Sequence, residues 1–480
     1  MNYKMIARML GRVILIIGVS LLIPLFISIG GRDGIYLSFL IPSLSMLAIG
    51  VGMNFIKPKD NQMSIAAGFA IVALSWIALS LFGSLPFLIS GGITEYMDCL
   101  FESVSGFTTT GATILQDVEA LPRSLLFWRS FTHWIGGLGV LLFVIAILPK
   151  TGSGAMHIFR AEATGPQIGK LVSKLKVTAR ILYLIHIAFT MFETIALLIC
   201  GLSFFDAINT ALSTAGTGGF SVRNASIAAY DSLAVEMVVL VFMFLFSINY
   251  NLFFLILIGK AKQVFKSEEF RAYIVLLTVA ILSMAINIIS VYGSFWTALR
   301  YASFQALIAS STTGFMSADY TAWPAFSQGI MLLLMIIGST AGSTGGGFKV
   351  SRFLILTKSF FKNSNSILRP RSVKTLKFDG KPLDAQVLDS VNGFFAAYIA
   401  LIIGGTLLIS INGYDFATNF SAAISCLSNV GPGLSQIGPT QNFSDFSIFS
   451  KLVMCFLMLA GRLEIFPILF IFYPRTWLKK

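Results

Sequence analysis

The sequence predicts an all-α polytopic membrane protein with two N-terminal transmembrane helices followed by four helix–loop–helix repeats in a pseudo-fourfold arrangement. Three observations support this fold class. Of the 480 residues, 56% are hydrophobic and only 11% are charged, whereas soluble domains carry roughly 25% charged residues. Long uncharged runs recur from end to end of the chain. Four similar glycine-containing segments lie between pairs of these runs.

Ten segments are predicted to span the membrane. A helix needs about 20 apolar residues to cross a hydrocarbon core of about 30 Å. Two of the ten, 178–203 and 446–474, are interrupted by charged residues. The first span lacks a small-residue cleavage pattern, so we expect a retained helix rather than a signal peptide. The uncharged spans are 13–31, 34–56, 61–94, 130–149, 237–259, 272–299, 320–348 and 390–414.

The positive charge is concentrated in loops that alternate along the chain. The net charge is +13, and most of the 34 Lys and Arg residues lie in 1–12, 56–62, 149–180, 259–271, 349–381 and the C-terminal tail. The positive-inside rule therefore predicts a multi-pass topology with a cytoplasmic N-terminus. This distribution favours topology over nucleic-acid binding as the reason for the charge. Some of these loops could also contact anionic membrane lipid or a cytoplasmic partner.

The cysteine and histidine residues form no metal-binding pattern in the sequence. The four cysteines are scattered without CxxC spacing, so neither a disulfide framework nor a structural metal is indicated. The three histidines lack the HExxH motif of zinc proteases. A membrane enzyme that used Glu193, His186 or Glu464 would need a nucleophile, metal or cofactor constellation, and none is recognisable. The sequence predicts no organic cofactor and no enzyme.

Four short amphipathic segments end in glycine-containing stretches, at 101–113, 205–221, 298–317 and 416–435. Each has about 8–12 residues of helical character, too few to cross a bilayer of about 30 Å, so it must enter and turn back. Non-helical backbone at membrane depth persists only where it is buried in protein or lines a polar cavity. The four loops are therefore predicted to be pore loops around one central pathway. Their central glycines are Gly111, Gly218, Gly314 and Gly431.

The recurrence of these glycines predicts how the chain is divided. Two extra N-terminal transmembrane helices would occupy 1–62, and four duplicated modules would follow them. The predicted modules are 63–150 for pore repeat 1, 151–265 for repeat 2, 266–380 for repeat 3 and 381–480 for repeat 4.

The residues around the four glycines are small or hydroxylated, and none is charged. Backbone carbonyl oxygens would therefore be the main ligands, which suits a dehydrated monovalent cation. Glycine allows neighbouring carbonyls to point to one axis because it reaches positive φ without a Cβ clash. A helix-ending glycine is the alternative for any single loop, but four matching loops favour a selectivity filter. The predicted filter residues are Thr109, Thr110, Gly111, Ala112, Thr217, Gly218, Gly219, Thr312, Thr313, Gly314, Asn429, Val430 and Gly431.

A glycine-rich stretch splits an apolar span in the third repeat. It is not a phosphate-binding loop, because the GK[ST] ending is missing. We expect it to unwind a membrane helix beneath the filter, and the alternative is a helix-packing surface of small residues. The residues of this stretch are Gly338, Ser339, Thr340, Ala341, Gly342, Ser343, Thr344, Gly345, Gly346 and Gly347.

Four polar side chains, on Arg462, Glu464, His186 and Glu193, lie inside predicted spans. Arg462 sits about halfway along the last span, where a charge costs about 2.5–3.5 kcal/mol on insertion scales, so it should face the interior or the pathway. A structural pairing of Arg462 with another helix is the alternative. Glu464 is on a different helix face and cannot be a simple intrahelical partner. His186 and Glu193 are either proton-relay groups or a hydrogen-bonded pair.

The four glycine-containing segments resemble the pore loops of the Trk/Ktr/HKT superfamily, and the resemblance extends over essentially the whole chain. The two extra N-terminal spans favour the TrkH/TrkG family within it. The NVGPG stretch at 429–433 departs from the shorter TTG pattern but keeps the glycine. The resemblance implies potassium uptake across the inner membrane of a bacterium, with potassium held at the filter residues. It also implies that the 338–347 stretch is the gate and that Arg462 lies below the filter.

The same resemblance implies partners. It predicts a homodimer and a TrkA-like cytoplasmic subunit that binds NAD or ATP and regulates the pore. The basic residues expected to dock that subunit are Lys170, Lys174, Lys176, Arg369 and Arg371. The sequence leaves open whether the protein is a gated potassium channel or a symporter that couples potassium to protons or sodium.

Overall fold

The chain is almost entirely helical in a computed structural model, which describes residues 2–57, 64–139, 175–368, 375–474 and 477. Two short strands, Lys377–Phe378 and Lys381–Pro382, pair antiparallel as a hairpin. The α-helices in the described ranges are Tyr3–Ser20, Leu22–Gly31, Leu37–Asn54, Ile65–Gly83, Leu85–Ser90, Tyr96–Phe107, Arg123–Gly137, Leu175–Ile199, Phe204–Gly216, Leu233–Ser247, Tyr250–Leu257, Ala261–Lys266, Glu268–Tyr292, Phe295–Ser311, Ala325–Ile337, Val350–Leu368, Ala385–Ile409, Phe416–Ser428, Ile448–Arg462 and Phe466–Phe472.

The described residues contain fewer continuous spans than the ten that were predicted. Among the described residues, six helical stretches are long and apolar enough to cross a membrane, and a seventh consists of two helices bent by 92° at residues 248–249. The predicted spans 320–348 and 446–474 are each broken into separate helices. The span 130–149 lies partly outside the described residues. The six stretches are Tyr3–Gly31, Leu37–Asn54, Ala66–Ser90, Ala179–Ile199, Glu268–Tyr292 and Ala385–Asn412.

The two N-terminal helical stretches pack closely through small residues. A Cβ placed on Gly50 would lie 2.7 Å from the carbonyl oxygen of Gly11, so the two backbones are nearly in contact. The buried hydroxyl of Ser43 donates to the carbonyl of Gly18 at 2.7 Å. Small residues allow this approach between membrane helices because side chains do not separate the backbones. The two extra N-terminal helices are thus confirmed.

After these helices, one order of elements recurs in the described part of the chain: a long helix, a short helix, an irregular loop and a second helix. We call the short helices half helices 1 to 4, and they are Tyr96–Phe107, Phe204–Gly216, Phe295–Ser311 and Phe416–Ser428. We call the helices that follow them inner helices 1 to 4, and they are Arg123–Gly137, Leu233–Ser247, Ala325–Ile337 and Ile448–Arg462.

The packing of these helices is cyclic. Each inner helix packs against the half helix of the next unit, and inner helix 4 packs back against half helix 1. Half helices 2 and 4 begin with side-chain caps, in which Ser203 Oγ accepts from the backbone N–H of Asp206 at 3.1 Å and Asp415 accepts from that of Thr418 at 3.3 Å. This closed order is consistent with the predicted pseudo-fourfold arrangement of helix–pore-loop–helix repeats. It brings the four loops to one central position.

All the inner helices stop or bend at a similar point in their units. Inner helix 3 ends at Ile337, and the next helix begins only at Val350. The predicted interruption of this span is therefore confirmed, and we call residues 338–349 the buried segment because nearly all of them are buried. Inner helix 4 ends at Arg462, where Glu464 and Ile465 have φ values of 57° and 62°. The helix ends leave carbonyl groups that need partners at this depth.

Candidate functional site

Each half helix ends in the same backbone conformation. The first residue of the shared pattern is left-handed, with φ of 55°, 54°, 60° and 56° at Thr109, Thr217, Thr312 and Asn429. Two residues later comes a glycine that also has positive φ, with values of 80°, 78°, 76° and 101° at Gly111, Gly219, Gly314 and Gly431. Left-handed threonine is uncommon and its occurrence in three equivalent places marks a shared functional constraint.

The structure places the second loop one residue away from the register that the sequence suggested. Gly219, rather than Gly218, has positive φ and occupies the position of Gly111. The N–H of Gly218 donates to the carbonyl of Ser213 at 3.0 Å, as the N–H of Thr110 donates to that of Ser105 at 2.9 Å. Gly218 is therefore equivalent to Thr110. Sequence alone could not decide between two adjacent glycines, because both can adopt positive φ.

The glycines interlock the loops. A Cβ on Gly111 would overlap the carbonyl oxygen of Gly218, a Cβ on Gly219 would overlap that of Thr313, and a Cβ on Gly314 would overlap that of Val430. A Cβ on Gly431 would lie 2.7 Å from the carbonyl oxygen of Thr110, which closes the ring. Each loop thus presses its glycine against a backbone carbonyl of the next loop. No other residue type could replace these glycines without moving a neighbouring loop.

The predicted filter residues all lie in this ring or in its immediate wall. Thr110, Thr313 and Val430 are fully buried, and Ala112 is nearly so. Asn429 links the fourth loop to the first because its Nδ2 donates to Thr110 Oγ1 at 3.0 Å. The same amide donates to the carbonyl of Met458 on inner helix 4 at 2.9 Å.

A buried ion pair braces the first loop, and sequence reasoning missed it. Arg129 Nε donates to Glu102 Oε1 at 2.8 Å, and both side chains are almost completely buried. Glu102 also accepts from Thr113 Oγ1 and from the backbone N–H of Ile114. Arg129 donates to the carbonyl of Ser221 at 3.2 Å. The pair therefore connects half helix 1, inner helix 1 and the chain that leaves the first and second loops.

His133 supports the second loop. Its Nδ1 lies 2.7 Å from the carbonyl oxygen of Gly106 at the end of half helix 1. Its ring stacks on Phe220 with centroids 4.2 Å apart, and a Cβ on Gly218 would overlap the ring. His133 thus fills the space behind the second loop and ties it to the first.

The buried segment lies directly against the third and fourth loops. The N–H of Gly346 donates to Thr312 Oγ1 at 2.7 Å. A Cβ on Gly346 would overlap the carbonyl oxygen of Ser428. These contacts place Gly346 of the buried segment immediately beside Thr312 and Ser428, at the ends of half helices 3 and 4.

The buried segment also supplies partners for inner helix 2. Thr340 Oγ1 donates to the carbonyl of Ser247 at 2.9 Å, and Thr344 Oγ1 donates to that of Phe246 at 3.1 Å. The N–H of Tyr250 donates to the carbonyl of Gly342 at 3.0 Å, just past the bend. The segment therefore satisfies the C-terminal carbonyls that a helix leaves without an intrahelical partner.

Two basic side chains hold the buried segment. Lys349, which is 1% exposed, donates from Nζ to Ser339 Oγ at 3.1 Å and also to the carbonyl of Gly345. Arg462 donates from Nη1 to the carbonyl of Thr344 at 2.8 Å. The other amino group of Arg462 donates to the carbonyls of Gly136 and Gly137 at the end of inner helix 1. A cation suits that position because helix C-termini carry partial negative charge.

The remaining polar residues of the spans are Glu464, His186 and Glu193. Glu464 pairs with Arg352 of the helix Val350–Leu368. The suggested pair of His186 and Glu193 is not formed. His186 Nδ1 lies 2.9 Å from the hydroxyl of Tyr250, whereas the carboxyl of Glu193 is fully buried two turns along the same helix.

Comparisons of the sequence and of the structure with known proteins agree on one family. The family model TrkH, described as a cation transport protein, matches residues 38–478. The Trk system potassium uptake protein TrkH of Vibrio parahaemolyticus is 35% identical over 99% of this chain and 100% of that protein. TrkG of Escherichia coli is 30% identical over 99% of each chain. The crystal structure of the potassium transporter TrkH from Vibrio parahaemolyticus superimposes with a TM-score of 0.90, at 33% identity over 100% of both chains.

We expect the Glu102–Arg129 pair to matter more for stability than any exposed ion pair. Arg129→Met leaves the Glu102 carboxyl buried without its counter-charge, which should cost about 3–5 kcal/mol. The measurement is the fraction of purified protein that stays monodisperse after heating in detergent. The double variant Arg129→Met with Glu102→Gln should lose less than the two single variants together, because neither charge is then left alone.

The control for that prediction is Glu119→Gln. Glu119 pairs with Arg223 at 3.4 Å and both side chains are exposed, so loss of this pair should cost only about 0–1 kcal/mol. Equal heat resistance of the Arg129→Met variant and the parent would show that the buried pair does not brace the loops.

Proposed function

This chain belongs to the TrkH family of cation transport proteins, and on that premise we propose that it admits potassium into the cell through the ring of four loops. Members of the family are ion transporters and not enzymes. The resemblance that the sequence suggested, to the TrkH/TrkG family, is confirmed over the full length. Potassium is the cargo of the proposed pathway.

The observation that carries the proposal is the closed contact between the loops. Each of Gly111, Gly219, Gly314 and Gly431 lies against the carbonyl oxygen of the neighbouring loop. Such a ring offers carbonyl dipoles in place of the hydration shell of potassium. The half helices point their C-terminal ends at the same place, which adds negative potential for a cation. We assign the carbonyls of Thr110, Gly218, Thr313 and Val430 as the potassium ligands of this ring.

The other predicted filter residues form the wall of the pathway in this proposal. The left-handed residues Thr109, Thr217, Thr312 and Asn429 turn the chain from helix to loop, and Ala112 continues beyond the ring. The neutral character of the wall suits a monovalent cation, since divalent cations favour carboxylate ligands.

We assign the gate to the buried segment, which includes all of residues 338–347. The segment blocks the space beneath the third and fourth loops, as the contacts of Gly346 with Thr312 and Ser428 support. Arg462 holds it through the carbonyl of Thr344 and places a positive charge beneath the filter. Opening would require the segment to leave these partners.

We further propose that the protein lies in the inner membrane with a cytoplasmic N-terminus and that it functions as a homodimer. A TrkA-like nucleotide-binding subunit would regulate it from the cytoplasm, in keeping with the Trk systems to which its relatives belong. Of the basic residues proposed to dock that subunit, Lys170, Lys174, Arg369 and Arg371 lie outside the described residues. The side chain of Lys176 also lies outside the description.

The filter assignment predicts that rubidium enters proteoliposomes faster than sodium and that Gly219→Ser weakens this preference. A serine at 219 adds a Cβ that overlaps the carbonyl of Thr313 and disfavours the φ of 78°. We expect the rubidium-to-sodium flux ratio to fall about tenfold, which is about 1.4 kcal/mol in relative barrier height. Gly111→Ser should act in the same way.

Gly329→Ser is the matched control for the filter variants. Gly329 lies in inner helix 3, and a Cβ there would meet nothing within 4 Å. Its flux ratio should equal that of the parent. A parent protein with no preference for rubidium over sodium would refute the filter assignment.

The gate assignment predicts that Arg462→Ala raises the basal rubidium flux in the absence of any partner. The change removes the hydrogen bond to Thr344 and the positive field beneath the filter. Because hydrogen bonds of charged groups contribute about 1.5–3 kcal/mol, an increase of about tenfold or more is expected. Arg462→Lys keeps the charge and should give an intermediate flux. A heat-sensitive Arg462→Ala protein with unchanged flux would show that Arg462 is only structural.

A further inference from the structure

We propose that Glu269 is the latch of the gate, a positioning residue that fixes the buried segment from outside the pathway. The proposal rests on the proposed function of residues 338–349 as the gate. Glu269 lies in the first turn of the helix Glu268–Tyr292, far along the chain from the segment that it contacts. No feature of the sequence singled it out.

One carboxylate oxygen of Glu269 bridges the two sides of the interruption. Oε1 accepts from the N–H of Ala341, within the buried segment, at 2.7 Å. It also accepts from the N–H of Ser351, in the first turn of the helix Val350–Leu368, at 3.0 Å. The residue is only 7% exposed. Glu269 thus ties the middle of the buried segment to the helix that follows it.

Both of these donors depend on Glu269. The N–H of Ser351 belongs to the first turn of a helix, where no intrahelical carbonyl is available. The N–H of Ala341 belongs to irregular backbone at membrane depth, where water cannot readily replace a lost partner. A negative side chain is also favoured at the start of a helix by the helix dipole. Removal of the carboxylate therefore leaves two buried donors without a partner and loosens the segment.

The other partners of the segment differ from Glu269 in what they connect. The carbonyls of Phe246 and Ser247 are fixed parts of inner helix 2. Lys349 belongs to the segment itself, and Arg462 belongs to inner helix 4. Glu269 instead directly follows Glu268, which belongs to a contact region on the proposed cytoplasmic side of the protein.

That contact region consists of Glu268, the strand hairpin and the helix Val350–Leu368. The N–H of Glu268 donates to Asp379 Oδ1 in the hairpin turn at 2.7 Å. The carboxylate of Glu268 pairs with Lys358, which also donates to the carbonyl of Lys377 at 3.0 Å.

The hairpin is fixed to the helix by apolar contacts. Phe378 is 3% exposed and packs with Ile355 of the helix Val350–Leu368 and with Val391. Hairpin, helix and Glu268 therefore move together. Because Glu269 is the next residue, a displacement of the hairpin would reach Ala341 through a short chain of hydrogen bonds. A displacement on the cytoplasmic face would thus break the hydrogen bonds of Glu269 and release the buried segment.

The test measures basal rubidium uptake into proteoliposomes that contain the full chain without any partner. Glu269→Ala removes the acceptor and should raise basal uptake about tenfold, the effect of a lost charged hydrogen bond on the gate equilibrium. Glu269→Gln keeps an acceptor oxygen of nearly the same shape, so its uptake should stay within about threefold of the parent. Glu269→Met keeps most of the side-chain volume but no carboxylate acceptor, so an uptake that rises as in Glu269→Ala separates the latch from a general loss of packing.

Glu236→Ala is the matched control for buried carboxylates. Glu236 is 5% exposed and binds Arg300 in a different part of the protein. Its uptake should equal that of the parent. A comparable increase in the Glu236→Ala variant would attribute the effect to general loosening and overturn the latch.

A second readout does not depend on transport. Ser343 is 7% exposed in the buried segment, so a cysteine introduced as Ser343→Cys should react slowly with a polar maleimide. Adding Glu269→Ala should accelerate that reaction about tenfold, whereas adding Glu269→Gln should not. Equal reaction rates with Ala and Gln at 269 would contradict the latch.

A variant with a shortened buried segment distinguishes failure of the latch from failure of the gate. We expect high uptake when residues 341–344 are replaced by one glycine, and no further increase when Glu269→Ala is added, because Glu269 acts only through the segment. High uptake of the shortened variant together with unchanged uptake of Glu269→Ala would refute the latch and retain the gate. Unchanged uptake of the shortened variant would refute the proposed gate itself.

Discussion

One constraint supports the rest of the molecule: the glycine of each loop lies against a backbone carbonyl of the next loop. These glycines are Gly111, Gly219, Gly314 and Gly431. The space at these contacts excludes a Cβ, and φ is positive at each glycine. Irregular backbone of this kind persists in a membrane only when protein surrounds it. The half helices deliver the loops to the ring, and the Glu102–Arg129 pair and His133 hold them there. These elements thus support the four loops in which the ring carbonyls lie.

The same argument accounts for the position of the buried segment, which we propose as the gate. Inner helices 1 and 2 end beneath the ring and leave carbonyls that need donors. Arg462 supplies donors to Gly136 and Gly137, and Thr340 and Thr344 supply them to inner helix 2. The buried segment is therefore held by bonds that the helix ends require, and new partners must replace those bonds when the segment moves. In the proposed function, these bonds favour a closed resting state.

Much of this organisation could be predicted from the sequence because it depends on local signals. Hydrophobic runs, short amphipathic segments and glycines predicted the N-terminal helices, the loops and the interruption at 338–347. Two adjacent glycines gave no basis for choosing Gly219 over Gly218, since the choice depends on contact with Thr313 in another loop. The sequence left His186 and Glu193 as proton-relay groups or a hydrogen-bonded pair, but Tyr250 from a neighbouring helix is the partner of His186.

The partners of Arg462 and the role of Glu269 were beyond sequence reasoning for a related reason. Arg462 was predicted to face the interior, yet its acceptors are backbone carbonyls, which no residue type reveals. Glu269 resembles any acidic residue at the start of a helix, because its acceptor geometry depends on a segment more than 70 residues away. Contacts of this kind depend on tertiary structure, so only coordinates show them.

The most direct test of the central claim is the position of a heavy permeant ion in crystals grown with rubidium or thallium. Anomalous scattering should show a site on the axis of the ring bounded by the carbonyls of Thr110, Gly218, Thr313 and Val430. The site should weaken when Gly219 is replaced by serine. An ion bound away from these carbonyls, with no density inside the ring under conditions that support flux, would contradict the account.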